Sequence, residues 1–300
     1  MQKKTLILGG SSFVGRHLIN SIDQQNLIYT FNDTPIKNGI YFNLLESELS
    51  SLIKHPCEIS VAVILLGDTE PDSCFRNPVL SHRINVERTI HLIDYLIEKK
   101  THIIFTSSEY VFDGIKGDYD ETNSPNPILL YGQQKLEVEK YLVDNTKNYT
   151  ILRLAKIYSL EKSEKTLFTN WIQQIFSDQL IRCAIDQKFS PVYVGNVAEV
   201  IKSIITSKQK GVFHVGGPKG MFRIDLLNIL IEEMKKEFEI MPKIALCRMQ
   251  DFDLLESRPL DVSLNIQKIV NTTGISPLHP IDACKSICQS YNNNYKQTIK

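Results

Sequence analysis

The sequence predicts an α/β protein, a doubly wound parallel sheet followed by a smaller, mostly helical C-terminal lobe, and three observations predict it. Short apolar runs alternate with longer amphipathic runs through the first half, the rhythm of strand–helix–strand units. The first apolar run ends in a glycine-rich turn. Past Leu154 the rhythm changes to longer helical segments with short extended pieces between them.

In chain order, strands are expected at residues 5–8, 27–31, 60–65, 102–106 and 150–154. Helical patterns lie between them at 14–22, 46–53, 84–98 and 130–143. Right-handed crossovers would wind those helices on to both sheet faces. Beyond them come helices at 168–176, 197–205 and 224–234, with an extended piece at 212–215. The expected division is residues 1–155 as the first domain, with 189–215 returning to it, and 156–300 mainly as the second lobe. The polar tail from Asn292 is expected to fray.

Composition removes several function classes. With 42% apolar residues the chain can bury a sizeable core, and with 34 basic and 34 acidic side chains it carries no formal net charge. No basic field exists to attract nucleic acid or an anionic membrane, so an anionic ligand must be held by local geometry. Six cysteines, Cys57, Cys74, Cys183, Cys247, Cys284 and Cys288, are dispersed and read as reduced thiols; only the last two are close, at a helix-face spacing. The chain enters an apolar strand after Met-Gln-Lys-Lys, and it holds no long apolar run, so a cytoplasmic protein is expected. No His, Cys, Asp and Glu cluster has metal-ligand spacing, and no metal is expected.

The segment Thr5-Leu-Ile-Leu-Gly-Gly-Ser-Ser-Phe-Val-Gly-Arg16 runs from strand to glycine turn to helix, the setting of a dinucleotide-binding, Rossmann-type fingerprint. Gly9 permits the tight turn and Gly15 the close packing of helix on sheet, while the helix start offers amides and a positive dipole end to a diphosphate. Ser12 stands where the middle glycine of G-x-x-G-x-x-G would be; its hydroxyl either caps the helix or donates to the phosphate. Taken alone, the loop also fits a plain strand-to-helix turn. An acid at the end of the second strand, about 20 residues on, would bind the adenosine ribose. Asp33 is expected to lie too far along for this, leaving Phe31 or Asn32 at the place, so NADP stands beside NAD as the cofactor. Arg16 is either a reach toward a 2′-phosphate or a solvated helix charge, and Asn43 either meets the adenine edge or caps a helix starting near Leu44.

Tyr131-Gly-Gln-Gln-Lys135 sets a phenol and an ammonium four residues apart on one helix face. A nearby cation favours the phenolate and makes the tyrosine a usable acid or base, and the lysine is also able to bond a nicotinamide ribose. The pattern alone is common. Its setting strengthens it: upstream, a buried strand runs Ile103-Ile-Phe-Thr-Ser-Ser108, and Ser108 at its end is placed to polarise the oxygen that Tyr131 protonates. The alternative is that Ser107 and Ser108 only begin a turn.

These segments together resemble the extended short-chain dehydrogenase/reductases and, within them, the dTDP-4-dehydrorhamnose reductase group. Ser107-Ser-Glu-Tyr-Val-Phe-Asp-Gly114 matches that group's S-T-D-Y-V-F-D-G, and Asn126-Pro-Ile-Leu-Leu-Tyr-Gly-Gln-Gln-Lys-Leu-Glu-Val-Glu139 its N-P-x-x-x-Y-G-x-x-K-x-x-x-E. Asp186-Gln-Lys-Phe-Ser-Pro191 and Arg258-Pro-Leu-Asp-Val-Ser-Leu264 match two later segments, so the likeness covers nearly the whole chain.

The resemblance implies a catalytic triad of Ser108, Tyr131 and Lys135 and hydride transfer from NADPH or NADH to a nucleotide-activated 4-keto sugar, in deoxysugar or polysaccharide synthesis. It implies a cofactor site made of Gly9, Ser11, Ser12, Phe13, Val14, Gly15, Asn32, Asn43, Leu44, Leu65, Leu66 and Gly67 with Tyr131 and Lys135. Substrate contacts are expected from Glu109, Tyr110, Lys156 and Arg258, the last either on the diphosphate or in an inter-lobe ion pair. The similar 4,6-dehydratases carry Thr-Asp-Glu where this chain has Ser108-Glu109-Tyr110; one acid is missing, so reduction is favoured over elimination. Three departures stand out: Ser12, the bulky Leu65-Leu66-Gly67 in place of small residues, and Lys156 where the group carries tryptophan. Asn85 is expected to be a structural hydrogen-bonder on a helix face. The expected partners are the nucleotide sugar and, optionally, a second copy of the chain. Two other readings stay open, a redox-neutral epimerase and a dinucleotide-binding regulatory subunit like the methionine adenosyltransferase β subunit.

Overall fold

A computed structural model describes residues 4–52 and 59–298, and the side chains up to residue 292. Seven strands form one parallel sheet: β1 (Lys4–Leu8), β2 (Leu27–Phe31), β3 (Ile40–Tyr41), β4 (Ile59–Ile64), β5 (His102–Ser108), β6 (Tyr149–Leu154) and, from late in the chain, a strand at Gly211–Val215. Their spatial order is β3-β2-β1-β4-β5-β6 followed by Gly211–Val215. The order reverses beside β1, which is where an open sheet of this kind leaves a crevice at the carboxyl ends of its strands.

Alternation along the strands divides the core. Ile7, Val61, Val63, Ile104 and Leu152 face one side, under α1 (Phe13–Ser21) and a helix at Val194–Ser207. Leu6, Leu8, Ala62, Ile64, Ile103, Phe105 and Ile151 face the other. That second face is covered by a helical series. It follows the short α2 (Leu49–Leu52) and comprises α3 (Pro71–Arg76), α4 (Pro78–His82), a π-helical turn at Arg83–Arg88, α5 (Thr89–Glu98) and α6 (Leu130–Asn145). Both faces being covered explains why these strands are apolar throughout rather than alternating with polar residues.

The second lobe holds α7 (Leu167–Phe176), α9 (Arg223–Lys235) and α11 (Pro280–Thr298), while α10 (Gln267–Thr273) packs through Ile269 on the sheet-side core with the helix at Val194–Ser207, taken as α8. The core of the second lobe is built from Phe168, Trp171, Leu226, Leu230, Cys284 and Ile287. Cys284 and Cys288 are buried on one face of α11, and Cys74, Cys183 and Cys247 are also free. Cys57 and the last residue of the expected 46–53 helix lie outside the described residues.

Three expectations are corrected. The helix expected at 46–53 is a turn at Asn43, whose carbonyl accepts from Glu46 and Ser47, followed by the single turn Leu49–Leu52. The helix expected from 84 is preceded by two short helices, each with proline in its first turn, and enters through the π turn. The tail expected to fray from Asn292 is helical through Thr298.

Candidate active site

Gly9 leaves β1 with φ +90°, a backbone that L side chains rarely adopt, and α1 begins four residues later. A Cβ on Gly15 would meet the Gly9 carbonyl oxygen at 2.3 Å, so only glycine lets α1 rise this close over the turn. Ser12 sits at φ −64°, which needs no glycine, and its hydroxyl accepts from the Gly15 amide at 3.1 Å. The side chain therefore caps α1 instead of projecting into the cradle, and the Phe13 and Val14 amides remain at the helix start for an anion.

Two cavities open on this turn. One, of about 540 Å³, runs from Gly9, Ser11 and Ser12 to Asn32 and Asp33 past β2 and to Asn43 and Leu44. The other, of about 310 Å³, runs from Ser12, Phe13 and Val14 to Ser108, Tyr131, Lys135 and Lys156. Ser12, Leu65 and Leu66 line both, so the two form one elongated cleft across the carboxyl ends of β1, β2, β4, β5 and β6. The leucines make its wall and leave it open. A long ligand with an anionic middle fits this shape, and a dinucleotide is such a ligand. Asp33, expected to lie too far along the chain, lines the first cavity beside Asn32. Asn43 Oδ1 accepts from the Leu45 amide in a local turn while the residue borders the same cavity.

Tyr131 and Ser108 meet because of Gly132. A Cβ there would lie 2.0 Å from the Tyr110 carbonyl oxygen, so the first turn of α6 rests directly on the turn that ends β5. The Ser108 hydroxyl and Tyr131 line the same cavity, and that hydroxyl accepts from the Tyr110 amide at 3.2 Å. One helical turn on, Lys135 Nζ stands 5.8 Å from the Tyr131 ring centre and donates to the Thr106 carbonyl at 3.0 Å. Burial draws the lysine down to about 8 and pushes the Tyr131 phenol above its ordinary range, so the downward shift expected from the neighbouring ammonium is corrected: desolvation outweighs it and the opposing influence of the Ser108 hydroxyl. Behind the helix, Glu139 and Arg153 of β6 form a buried ion pair at 2.7 Å that fixes α6 against the sheet.

The loop after β4 is fixed from the π turn. Asn85 Oδ1 accepts from the Asp68 amide at 2.8 Å, and Nδ2 donates to the Asp68 carbonyl and, at 2.8 Å, to Gln134 of α6. Asn85 thus joins the Leu65–Asp68 loop to the helix carrying Tyr131 and Lys135. That is the structural hydrogen-bonding role expected of it, although no local pattern indicates what it connects.

The four residues expected at the substrate end are placed differently from one another. Glu109 is buried beside Ser108; burial pushes its carboxyl up to about 8 despite the pull of Lys156, and its Oε2 has no hydrogen-bond partner among the described residues. Tyr110 crosses the Tyr131 ring edge-on, with centres 6.4 Å apart. Lys156 is exposed by area, yet enough protein surrounds it that desolvation draws its ammonium below the usual range. Arg258 does not line the cleft cavities; its guanidinium pairs with Asp72 of α3 at 2.6 Å and bonds the Glu256 carbonyl, which ties the second lobe to the first. Ser107, Thr69 and Ala155 also line this second cavity, and no sequence motif marks the last two.

The model of the RmlD substrate binding domain family matches residues 3–293. The chain is similar to methionine adenosyltransferase 2 subunit beta of Mus musculus, 26% identical over 289 residues that cover 93% of this chain and 84% of that protein. It is also similar to the dTDP-4-dehydrorhamnose reductase of Aggregatibacter actinomycetemcomitans, 25% identical over 298 residues, 95% of this chain and 98% of that one. Among solved structures, dTDP-4-dehydrorhamnose reductase from Bacillus anthracis in complex with NADP superposes with a TM-score of 0.82 at 16% identity, covering 97% of this chain and 100% of that chain.

Proposed function

The chain belongs to the RmlD substrate binding domain family, and from that premise we propose that it is an NAD(P)H-dependent reductase of a nucleotide-activated 4-keto sugar, serving deoxysugar or polysaccharide synthesis. The observation that carries the reading is the convergence of Ser108, Tyr131 and Lys135 on one cavity continuous with the glycine turn. A relative that matches nearly end to end bears the name of such a reductase.

A bound nicotinamide dinucleotide supplies the hydride, and the chain does the rest. Gly9, Ser11, Ser12, Phe13, Val14 and Gly15 hold the diphosphate by turn and helix start. Asn32, Asn43 and Leu44 border the adenosine end, and Leu65, Leu66 and Gly67 form the wall beside the ribose. Tyr131 gives its proton to the keto oxygen as the carbon is reduced, leaving an alcohol and a phenolate. Its raised pKa keeps that proton in place until the oxygen takes on charge, and Ser108 donates to the same oxygen. Lys135, charged below about pH 8, stabilises the phenolate that forms. Glu109 and Lys156 meet the sugar, the buried carboxyl offering its unpartnered oxygen to a hydroxyl. Arg258 serves this site indirectly, by holding the second lobe closed over it.

The setting that goes with this reading is the cytoplasm; among the described residues no helix is long and apolar enough to cross a membrane. A homodimer is the assembly proposed, with Phe75, Val79 and Leu80, exposed on α3 and α4, as the apolar surface available to a second copy.

The test is turnover of a panel of nucleotide 4-keto sugars with NADH and NADPH, by the protein and its Tyr131→Phe variant. Stoichiometric cofactor consumption is expected, with kcat at least ~100-fold lower in the variant and cofactor affinity within about threefold. Interconversion of sugars without net consumption would identify an epimerase. Cofactor binding with no turnover of any sugar would favour a regulatory subunit; the murine relative is named as a subunit of an adenosyltransferase. Normal turnover by Tyr131→Phe would remove the phenol from the mechanism.

A further inference from the structure

We infer that Glu256 is a positioning residue for Tyr131: a carboxylate of the second lobe caps the helix that carries the phenol, so the acid is correctly set only while the two lobes are docked. The inference rests on the reading of Tyr131 as the acid and adds the group that holds it from the other lobe.

The first amides of a helix have no partner within it and need an acceptor from outside. α6 finds none nearby in sequence. Its N-cap, Leu129, has no side-chain acceptor, Pro127 and Ile128 precede it, and the amide group of Asn126 donates to Asp113 at 3.0 Å. The acceptor is Glu256 Oε1, 126 positions along the chain, which takes the Leu130 amide at 2.9 Å. A carboxylate is favoured there because the positive end of the helix dipole adds to the hydrogen bond. The other oxygen, Oε2, is buried without a hydrogen-bond partner among the described residues. Burying an oxygen in that way costs stability, and what it secures is the single bond to α6.

That bond lies one residue from the phenol. Leu130 precedes Tyr131, and Gly132, which follows it, rests on the Tyr110 carbonyl, where a Cβ would stand 2.0 Å from the oxygen. The Tyr131 backbone is thus held from both sides, by the turn after β5 and by Glu256. The segment around Glu256 is fastened in turn. Its carbonyl accepts from Arg258 Nη1 at 3.0 Å, Arg258 pairs with Asp72 of α3, and the Asp261 amide donates to the Gly114 carbonyl at 3.0 Å. Pro259 packs so closely on Gly114 that a Cβ there would stand 2.5 Å from it. Residues 256–261 are therefore pinned to α3, to α6 and to the connection between β5 and α6. Lifting them would release the Leu130 amide and one of the two supports of Tyr131. Lys135, bonded to Thr106, and the Glu139–Arg153 pair would keep the rest of α6 in place.

The experiment compares the full chain with Glu256→Ala and Glu256→Gln by three measurements. They are hydrogen exchange of the peptide containing residues 129–133, steady-state turnover of a nucleotide 4-keto sugar, and titration with NADH followed by the fluorescence of the reduced nicotinamide. In Glu256→Ala, exchange at the start of α6 is expected to quicken at least ~10-fold and kcat to fall at least ~10-fold, while KM and NADH affinity stay within about threefold. Glu256→Gln keeps an oxygen acceptor and is expected to recover kcat to within about threefold of the natural protein. A kcat within about threefold in Glu256→Ala, whatever its melting temperature, overturns the proposal. So does an equal loss in Glu256→Gln, or a loss of NADH affinity that matches the loss of kcat. Unchanged exchange in Glu256→Ala overturns this inference alone. Absence of turnover by the natural protein would instead overturn the reading of Tyr131 as the acid, and the inference with it.

Discussion

Around Gly9 the cleft is shaped by backbone: a turn at φ +90°, a helix start whose serine faces inward as a cap, and an adenosine end lined by exposed polar residues. Around Tyr131 it is shaped by buried side chains, with Ser108, Glu109, Tyr131 and Lys135 each less than a tenth exposed. The difference lies in what each half must do. Holding a diphosphate requires amides in fixed directions, and a solvated site suffices because the turn geometry fixes them. Moving a proton requires pKa values displaced from their ordinary range, which burial produces and solvent would abolish. Both ionisable shifts to about 8, of Lys135 and Glu109, fall in the catalytic half.

The contrast is broken most severely at Gly132, where backbone sets the catalytic half as well. In Gly132→Ala the new methyl would stand 2.0 Å from the Tyr110 carbonyl oxygen, so α6 must lift off the end of β5 and carry Tyr131 away from Ser108. On the proposed reaction kcat should fall by about 100-fold or more, since a displacement on the order of 1 Å in a reacting group has that effect. The folded core should survive, as Glu139 and Arg153 still anchor the helix further along. Steady-state kinetics checks this, and a kcat within about threefold of the natural value would show that the two side chains need not be held together.

Glu109 sharpens the contrast through pH. Its carboxyl is raised to about 8 from an ordinary 4.5, so between those values the folded protein keeps a proton that the unfolded chain releases. Stability from this group is fullest below about pH 4.5 and declines as pH rises toward about 8. Glu109→Gln has no proton to lose. Its stability relative to the natural protein should therefore rise by about 2–3 kcal/mol between about pH 5.5 and about pH 7.5. Urea unfolding at the two pH values measures it, and a pH-independent difference would mean that the carboxylate is already ionised and paired with Lys156.

The same division governs what could be read from the sequence. The sheet and its chief helices followed from apolar periodicity, because burial on two faces makes strands apolar throughout. Ser108, Tyr131 and Lys135 could be gathered because local periodicity puts two of them on one helix face and the third at a strand end. What escaped depends on residues distant in sequence. Arg16 meets Glu164 across 148 positions, and Arg258 meets Asp72 across 186. No local pattern names either partner: Arg16 reads as a reach toward a 2′-phosphate or a solvated helix charge, and Arg258 as a diphosphate contact or an inter-lobe ion pair, of which the structure shows the ion pair. Asp33 was misplaced for a subtler reason: one or two residues of uncertainty at the end of β2 decide whether its carboxylate borders the cavity.

Ser12 gives the smallest effect and bears on the backbone-built half alone. Its hydroxyl satisfies the Gly15 amide, so Ser12→Ala should cost about 1 kcal/mol and Ser12→Gly only a few tenths. At φ −64° the position does not require glycine, and the side chain turns toward α1 and not into the cradle. Restoring the glycine spacing with Ser12→Gly should therefore leave NADH affinity within about twofold, because no obstruction is removed. Thermal unfolding and the same fluorescence titration measure the pair of effects. Tighter binding by about tenfold in Ser12→Gly would mean that the hydroxyl obstructs the diphosphate, and the cradle would then owe part of its shape to a side chain after all.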